Sequence, residues 1–293
     1  MRPSDIVTAA AGAHALSQDF TPGRSQSVGP GLVRIVAPNP GPFTGPGTNS
    51  YLVGEGELAV VDPGPDDAAH VAAIVAAGAG RIAWILVTHT HRDHSPAARA
   101  LRELTGATVV GRLPPDDGRQ DRRFRPDAEP ADGERILMDG MALRCIATPG
   151  HASNHVCYLL EQGGVLFTGD HILGHVSPVI LAPDGDMGDY LASLARLRDL
   201  PVASIAPGHG PMLGRPAEVI DGLIAHRLGR EARTREALRR QPAATLEELL
   251  VVVYADVDRS LHEIAAHSLL AHLIKLEREG AAAREGARWF AAG

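Results

Sequence analysis

The sequence predicts an α+β protein ending in a small helical module, and three observations carry that reading. Between residues 32 and 111, apolar strand-like runs alternate with helical patterns, which calls for a sheet with helices packed against it. From residue 134 to 169 the texture changes to short strands separated by tight turns. After Pro216 the periodicity is helical almost to the end of the chain.

Residues 1–31 are mixed and rich in Gly, Pro and Ser towards their end, so a short N-terminal arm without recognisable chemistry is expected. Residues 32–37 and 50–53 read as strands bracketing PNPGPFTGPGTNS, whose four prolines and three glycines make either a wall of the site or a stiff connection. A further strand, 57–61, ends at Asp62-Pro63-Gly64, and residues 66–77 read as a helix. The run IAWILV at 82–87 reads as a buried strand, followed by an amphipathic helix over 97–105 and a strand at 107–111. Residues 112–133, with five arginines and five aspartates, read as a solvated excursion. The strands RILMDG, MALRCIATPG, NHVCYLLEQGG and VLFTGD follow, then a helix over 190–200 and a strand at 203–206. A long helix runs to about residue 240, two more helical patterns cover 246–254 and 261–279, and AAAREGARWFAAG fits a closing hairpin.

With 293 residues and 44 % hydrophobic content, the chain can bury one large core and a small appended one. A net charge of −7 argues against a general affinity for nucleic acid. Cys145 and Cys157 lie in apolar strand-like runs and are expected as buried free thiols. No run approaches the roughly 18 to 20 apolar residues that span a bilayer. The first residues lack the pattern of a secretory signal, so a cytoplasmic address is expected.

The chemistry concentrates in His89-Thr90-His91-Arg92-Asp93-His94, where three imidazoles and a carboxylate fall within six residues. The hexapeptide follows a buried strand, the place where open α/β sheets usually carry ligands. His89 and His91 can face one side of an extended loop, and Asp93 and His94 another, so two adjacent metal ions are the natural reading. Further downstream, His151, Asp170 and His209 each sit where a strand ends at a glycine-containing turn, which lets a side chain be thrown back across the sheet edge.

HTHRDH resembles the HxHxDH motif of the metallo-β-lactamase superfamily, and that family's remaining ligands appear in order in TPGH, TGD and PGHG. The resemblance implies an αββα sandwich of two mixed β-sheets flanked by helices. It implies that His89, His91 and His151 hold one metal and Asp93, His94 and His209 the other, with Asp170 bridging. Two Zn2+ ions are implied, and Fe2+ or Mn2+ also suit such donors. A hydroxide shared by the metals would be the nucleophile, with Asp93 and Asp170 among the catalytic residues. Asp62 would orient the metal loop through hydrogen bonds. His171 and His175 follow the bridging position, and His175 is the better candidate for a general acid.

Zinc β-lactamases of the superfamily carry cysteine or serine where Asp170 stands, whereas glyoxalase-II-like hydrolases and nucleases carry the aspartate. With its tail, the chain most resembles the β-lactamase-like protein 2 group. That implies a hydrolase domain over 32–222, then a linker helix and winged-helix-like domain over 223–293. The implied activity is hydrolysis of a small-molecule or carrier-bound ester or thioester, with acyl carrier protein or coenzyme A as partner. The alternative is a single-stranded RNA endoribonuclease, for which Arg227, Arg230, Arg233, Arg235, Arg239 and Arg240 would form a cationic edge. An aromatic content of 4 % offers few stacking platforms for single strands. From Thr245 onward five basic side chains face eight acidic ones, so the tail reads as a lid or homodimerisation module before a DNA reader.

Overall fold

The computed structural model describes residues 19–292. The first 18 residues of the expected arm lie outside the described residues. Its end does not hang free: β1 (Ser25–Gly29) pairs antiparallel with β2 (Leu32–Val36). The Gly/Pro/Ser composition of this segment hid a short edge strand.

β3 (Asn49–Val53) and β4 (Leu58–Val61) extend the antiparallel meander, and β5 (Ile82–Leu86) and β6 (Thr108–Val110) add to β4 in parallel. The crossovers are α1 (Ala68–Gly78) and α2 (Ala97–Thr105). The second sheet holds β7 (Arg135–Met138), β8 (Met141–Ala147), β9 (Val156–Leu160), β10 (Val165–Gly169) and β11 (Ser204–Pro207). Its order is β11-β10-β9-β8-β7, antiparallel except for the β10–β11 pair. That pair is joined by a crossover carrying α3 (Met187–Arg198).

The two-sided burial of these strands explains their continuous apolar runs. In β9, Val156, Tyr158 and Leu160 enter the core between the sheets, where they meet Tyr51, Val61 and Leu86. Cys157 and Leu159 point the other way, into a core shared with Tyr190, Leu194 and Leu197 of α3. The third core packs Ile74 and Leu101 of the first two helices on the outer face of the first sheet. Four layers result, helix, sheet, sheet, helix, as expected. Cys145 and Cys157 fall in different cores, and burial pushes both thiols up to about 12.

α4 (Pro216–Arg240) is one continuous helix, with no break at residue 222. Val219, Ile220 and Leu223 belong to the core under α3, while Ala237 and Leu238 belong to the core of the C-terminal module. That module comprises β12 (Ala244–Thr245), α5 (Leu246–Val253), α6 (His262–Arg278), β13 (Ala282–Glu285) and β14 (Arg288–Ala291). α5 starts at a capping box between Thr245 and Glu248. β13 and β14 form the expected hairpin, and with β12 they make a three-stranded wing. Among the described residues no helix is long and apolar enough to cross a membrane.

His70 on α1 is 1 % exposed and hydrogen-bonds through Nε2 to the Ser50 hydroxyl at 2.8 Å. Burial pushes its pKa from 6.5 down to about 4. The unfolded chain therefore binds this proton at a higher pH than the folded one, and the stability His70 allows is lost as pH falls from 6.5 towards 4. Urea unfolding across that window is expected to show a steeper loss for the wild type than for His70→Gln. The difference approaches the one-proton limit of about 1.4 kcal/mol per pH unit.

Candidate metal centre

The hexapeptide is fixed from beneath by Asp62, where β4 ends and the backbone turns through a left-handed φ of 51°. Its Oδ1 accepts from the Thr88 amide at 2.8 Å, and its Oδ2 accepts from the Thr88 hydroxyl at 2.8 Å and from His94 Nδ1 at 2.9 Å. From the side, the Asp121 amide donates to the Thr90 carbonyl at 2.6 Å. The Thr90 hydroxyl donates to Gln120 at 2.9 Å and accepts from Asn154 at 2.7 Å. Gln120 and Phe124 are buried, so the stretch expected as a solvated excursion carries a brace for the metal loop. Its lack of periodicity concealed that role.

The other donors arrive from the second sheet on glycine turns. Gly150 holds φ 137°, and a Cβ there would lie 2.4 Å from the Tyr190 Cα of α3, so only glycine lets this turn seat His151. A Cβ at Gly208 would lie 2.7 Å from the His94 ring and 3.0 Å from Asp170 Oδ1, so the β11 end approaches the centre as closely as a bare backbone allows.

Two groups of donors form, His89, His91, His151 and Asp170 in one, and Asp93, His94, Asp170 and His209 in the other. In the first, His91 Nδ1 lies 2.9 Å from His89 Nε2 and 3.0 Å from His151 Nε2, and His151 Nε2 lies 3.6 Å from Asp170 Oδ2. In the second, His209 Nε2 lies 3.1 Å from Asp93 Oδ2, and 3.3 Å from both His94 Nε2 and Asp170 Oδ1. Tetrahedral ligands about 2.0–2.1 Å from an ion stand about 3.3 Å apart, which matches these spacings.

The hydrogen bonds behind the rings also fit a metal. His151 Nδ1 faces the Val179 carbonyl at 2.9 Å and His209 Nδ1 the Gly47 carbonyl at 3.2 Å. A carbonyl only accepts, so each Nδ1 holds the hydrogen and each Nε2 turns a lone pair inward. Thr88 gives its one hydroxyl proton to Asp62, so it accepts from His89 Nδ1 at 3.0 Å, with the same result. Lone pairs and carboxylates converging at 3.1–3.6 Å repel one another unless a cation lies among them.

Burial drives His89 well below its usual range and His91 to about 4, which keeps both rings neutral and ready to ligate. Burial also acts against protonated His94 and His209, but Asp93 and Asp170 outweigh it and raise both. The same carboxylates are held low by His94 and His209, against the effect of their own burial.

All seven ligand residues expected from the sequence come together here. His175 is in neither donor group: its ring lies within 3 Å of where a Cβ would stand on Gly45 and on Gly210. His171 is fully buried against Tyr190 and His155. Sequence reasoning missed Thr88, Gln120, Asn154 and the carbonyls of Gly47 and Val179. Backbone carbonyls leave no trace in residue type, and the polar side chains become informative only once β5 and β9 are adjacent to them.

Two donor groups sharing one aspartate, at the strand ends of a two-sheet sandwich flanked by helices, define a metal-binding hydrolase of the αββα type. The chain belongs to the metallo-beta-lactamase superfamily, whose family model matches residues 43–209, and residues 245–289 match the beta-lactamase associated winged helix domain. It is 32 % identical over 260 residues to a beta-lactamase-like protein 2 homolog of Caenorhabditis elegans, covering 85 % of each chain. It is 34 % identical over 289 residues to an atrochrysone carboxyl ACP thioesterase of Aspergillus chevalieri, covering 92 % of this chain and 89 % of that one. Among solved structures, a metallo-beta-lactamase family protein of Thermus thermophilus superposes with a TM-score of 0.74 at 28 % identity, over 90 % of this chain and all of that one.

Asp62→Ala removes the acceptor that orients His94 and is expected to weaken metal binding 10- to 100-fold at unchanged ligand count, measured by competition with a chromophoric chelator.

Proposed function

We propose that this hydrolase cleaves thioesters whose acyl group is carried on coenzyme A or an acyl carrier protein, at a centre holding two divalent ions. The observation that carries the reading is Asp170, whose Oδ2 faces His151 while its Oδ1 faces His94 and His209, so that one carboxylate serves both donor groups. His89, His91 and His151 would hold one ion, and Asp93, His94 and His209 the other, with Asp170 between them. The donor set suits Zn2+ and equally Fe2+ or Mn2+. Such ions supply Lewis acidity and bring the pKa of bound water from about 15.7 towards about 7.

The chain's own residues do the positioning. Asp62 and the Gly47 and Val179 carbonyls keep the His94, His209 and His151 rings turned inward. Asp93 and Asp170 stay ionised and keep some open surface towards the cleft, at 28 % and 14 % side-chain exposure. A thiol has a pKa of about 8.5, so a thiolate departs without a proton donor.

The arginines of α4 support a thioester over RNA. Arg230 and Arg233 pair with Asp256, Arg235 with Glu231 and Glu279, and Arg239 and Arg240 with Glu236. Arg227 is buried and donates to the Pro178 carbonyl. Each arginine of the edge that looks free in sequence is engaged within the fold, two of them sharing Asp256 and two sharing Glu236. The resemblance to a thioesterase acting on carrier protein supports the same reading.

The test is a parallel assay of the metal-loaded protein on acyl-coenzyme A and acyl-carrier thioesters and on labelled single-stranded RNA, with His94→Ala as the control. Thioester turnover that the variant loses is the expected outcome. RNA cleavage lost in the variant, with thioesters untouched, overturns the proposal.

A further inference from the structure

The metal centre forms one end of a continuous cavity of about 1310 Å3, larger than the roughly 300–1,000 Å3 that usually holds a drug-sized ligand. His91, Asp93, His151 and Asp170 line the near end, and Tyr254, Val257, Leu261, Ile264, Ala265 and Ser268 of the C-terminal module line the far end. An acetyl group would leave most of this space empty. The module is anchored where it stands: Ala271 of α6 enters the core beneath α3, and Arg278 pairs with Asp186, the N-cap of α3.

At the far end the three arginines of the lining, Arg227, Arg230 and Arg233, are balanced by Glu218, Asp256 and Asp258, and each is engaged within the protein. Arg230 and Arg233 share Asp256, Arg227 is taken by the Pro178 carbonyl, Asp258 accepts from Ser260, and Glu218 pairs with Arg215. His226, pushed down to about 3 mainly by burial, is neutral at ordinary pH. A neutral apolar group at that end would bury surface against the aliphatic wall of Val257, Leu261, Ile264 and Ala265.

Resting on the thioesterase reading, we propose that the C-terminal module is the acyl-selecting wall of the active site. The far part of the cavity takes a long or bulky, uncharged acyl group, and the thiol end of the substrate leaves by the mouth beside Phe43, Arg92 and Arg119. The module sets substrate size by what Leu261 and Ala265 leave open.

The experiment uses the full-length, metal-loaded protein with acetyl-pantetheine and decanoyl-pantetheine thioesters, and with the non-hydrolysable decanoyl thioether as a binding probe. Ala265→Phe narrows the buried wall and Leu261→Trp narrows it from a position 50 % exposed, so that folding is secured in at least one variant. Metal content and melting temperature are recorded for both. The expected result is a wild-type kcat/KM ratio of decanoyl to acetyl that falls roughly tenfold or more in the variants, with weaker thioether binding by calorimetry. A ratio and thioether affinity unchanged in folded variants overturn the inference while leaving the thioesterase reading intact. If no thioester is cleaved, that reading fails. The acyl wall is then decided by the thioether alone: binding weakened by Leu261→Trp upholds it, and no binding to the wild type refutes it.

Discussion

Three imidazoles, His94, His151 and His209, and the carboxylates of Asp93 and Asp170 converge at 3.1–3.6 Å at the edge of the sandwich, and the fold has to hold them still. It does so by tying the back of each ring rather than the front. Asp62, the Thr88 hydroxyl and the carbonyls of Gly47 and Val179 each accept a ring hydrogen, and each belongs to a different stretch of chain. The centre is therefore spread over both sheets, and neither sheet contains it alone.

This dependence explains why so much close packing gathers around the donors. Gly150 and Gly208 stand where a single methyl group would strike α3 or the His94 ring. Gln120 and Asn154, far apart in the chain, converge on Thr90 to stop the metal loop from rotating. The interior cannot relax around a misplaced ligand, because close-packed neighbours transmit such strain instead of absorbing it.

α4 extends the same logic outward. Its first half is anchored in the core of the metal-binding part and its second half in the C-terminal module, so one rigid element fixes the module over the cleft. The arginines along it are spent internally: Arg227 crosses to the Pro178 carbonyl, one residue before the Val179 carbonyl that orients His151. A helix that reads as a charged outer face is thus a strut between two cores.

The sequence by itself determined which seven residues converge, most of the strands and helices, and the helix–helix–wing tail. Those features are written in residue type and local spacing, as in HTHRDH, the glycine turns before His151 and His209, and the continuous apolar run VCYLL. Only the tertiary structure decided that Ser25–Gly29 is a strand, that Gln120 and Phe124 are buried, and that His175 packs against Gly45 and Gly210. It also decided that the arginines of α4 are engaged within the fold. Many of the partners are distant in the chain: Gln120 meets Thr90 from thirty residues away and Arg230 meets Asp256 from twenty-six. A charge, an imidazole or a short polar strand carries no local mark of whether its partner is water, a carboxylate or a backbone carbonyl brought near by folding.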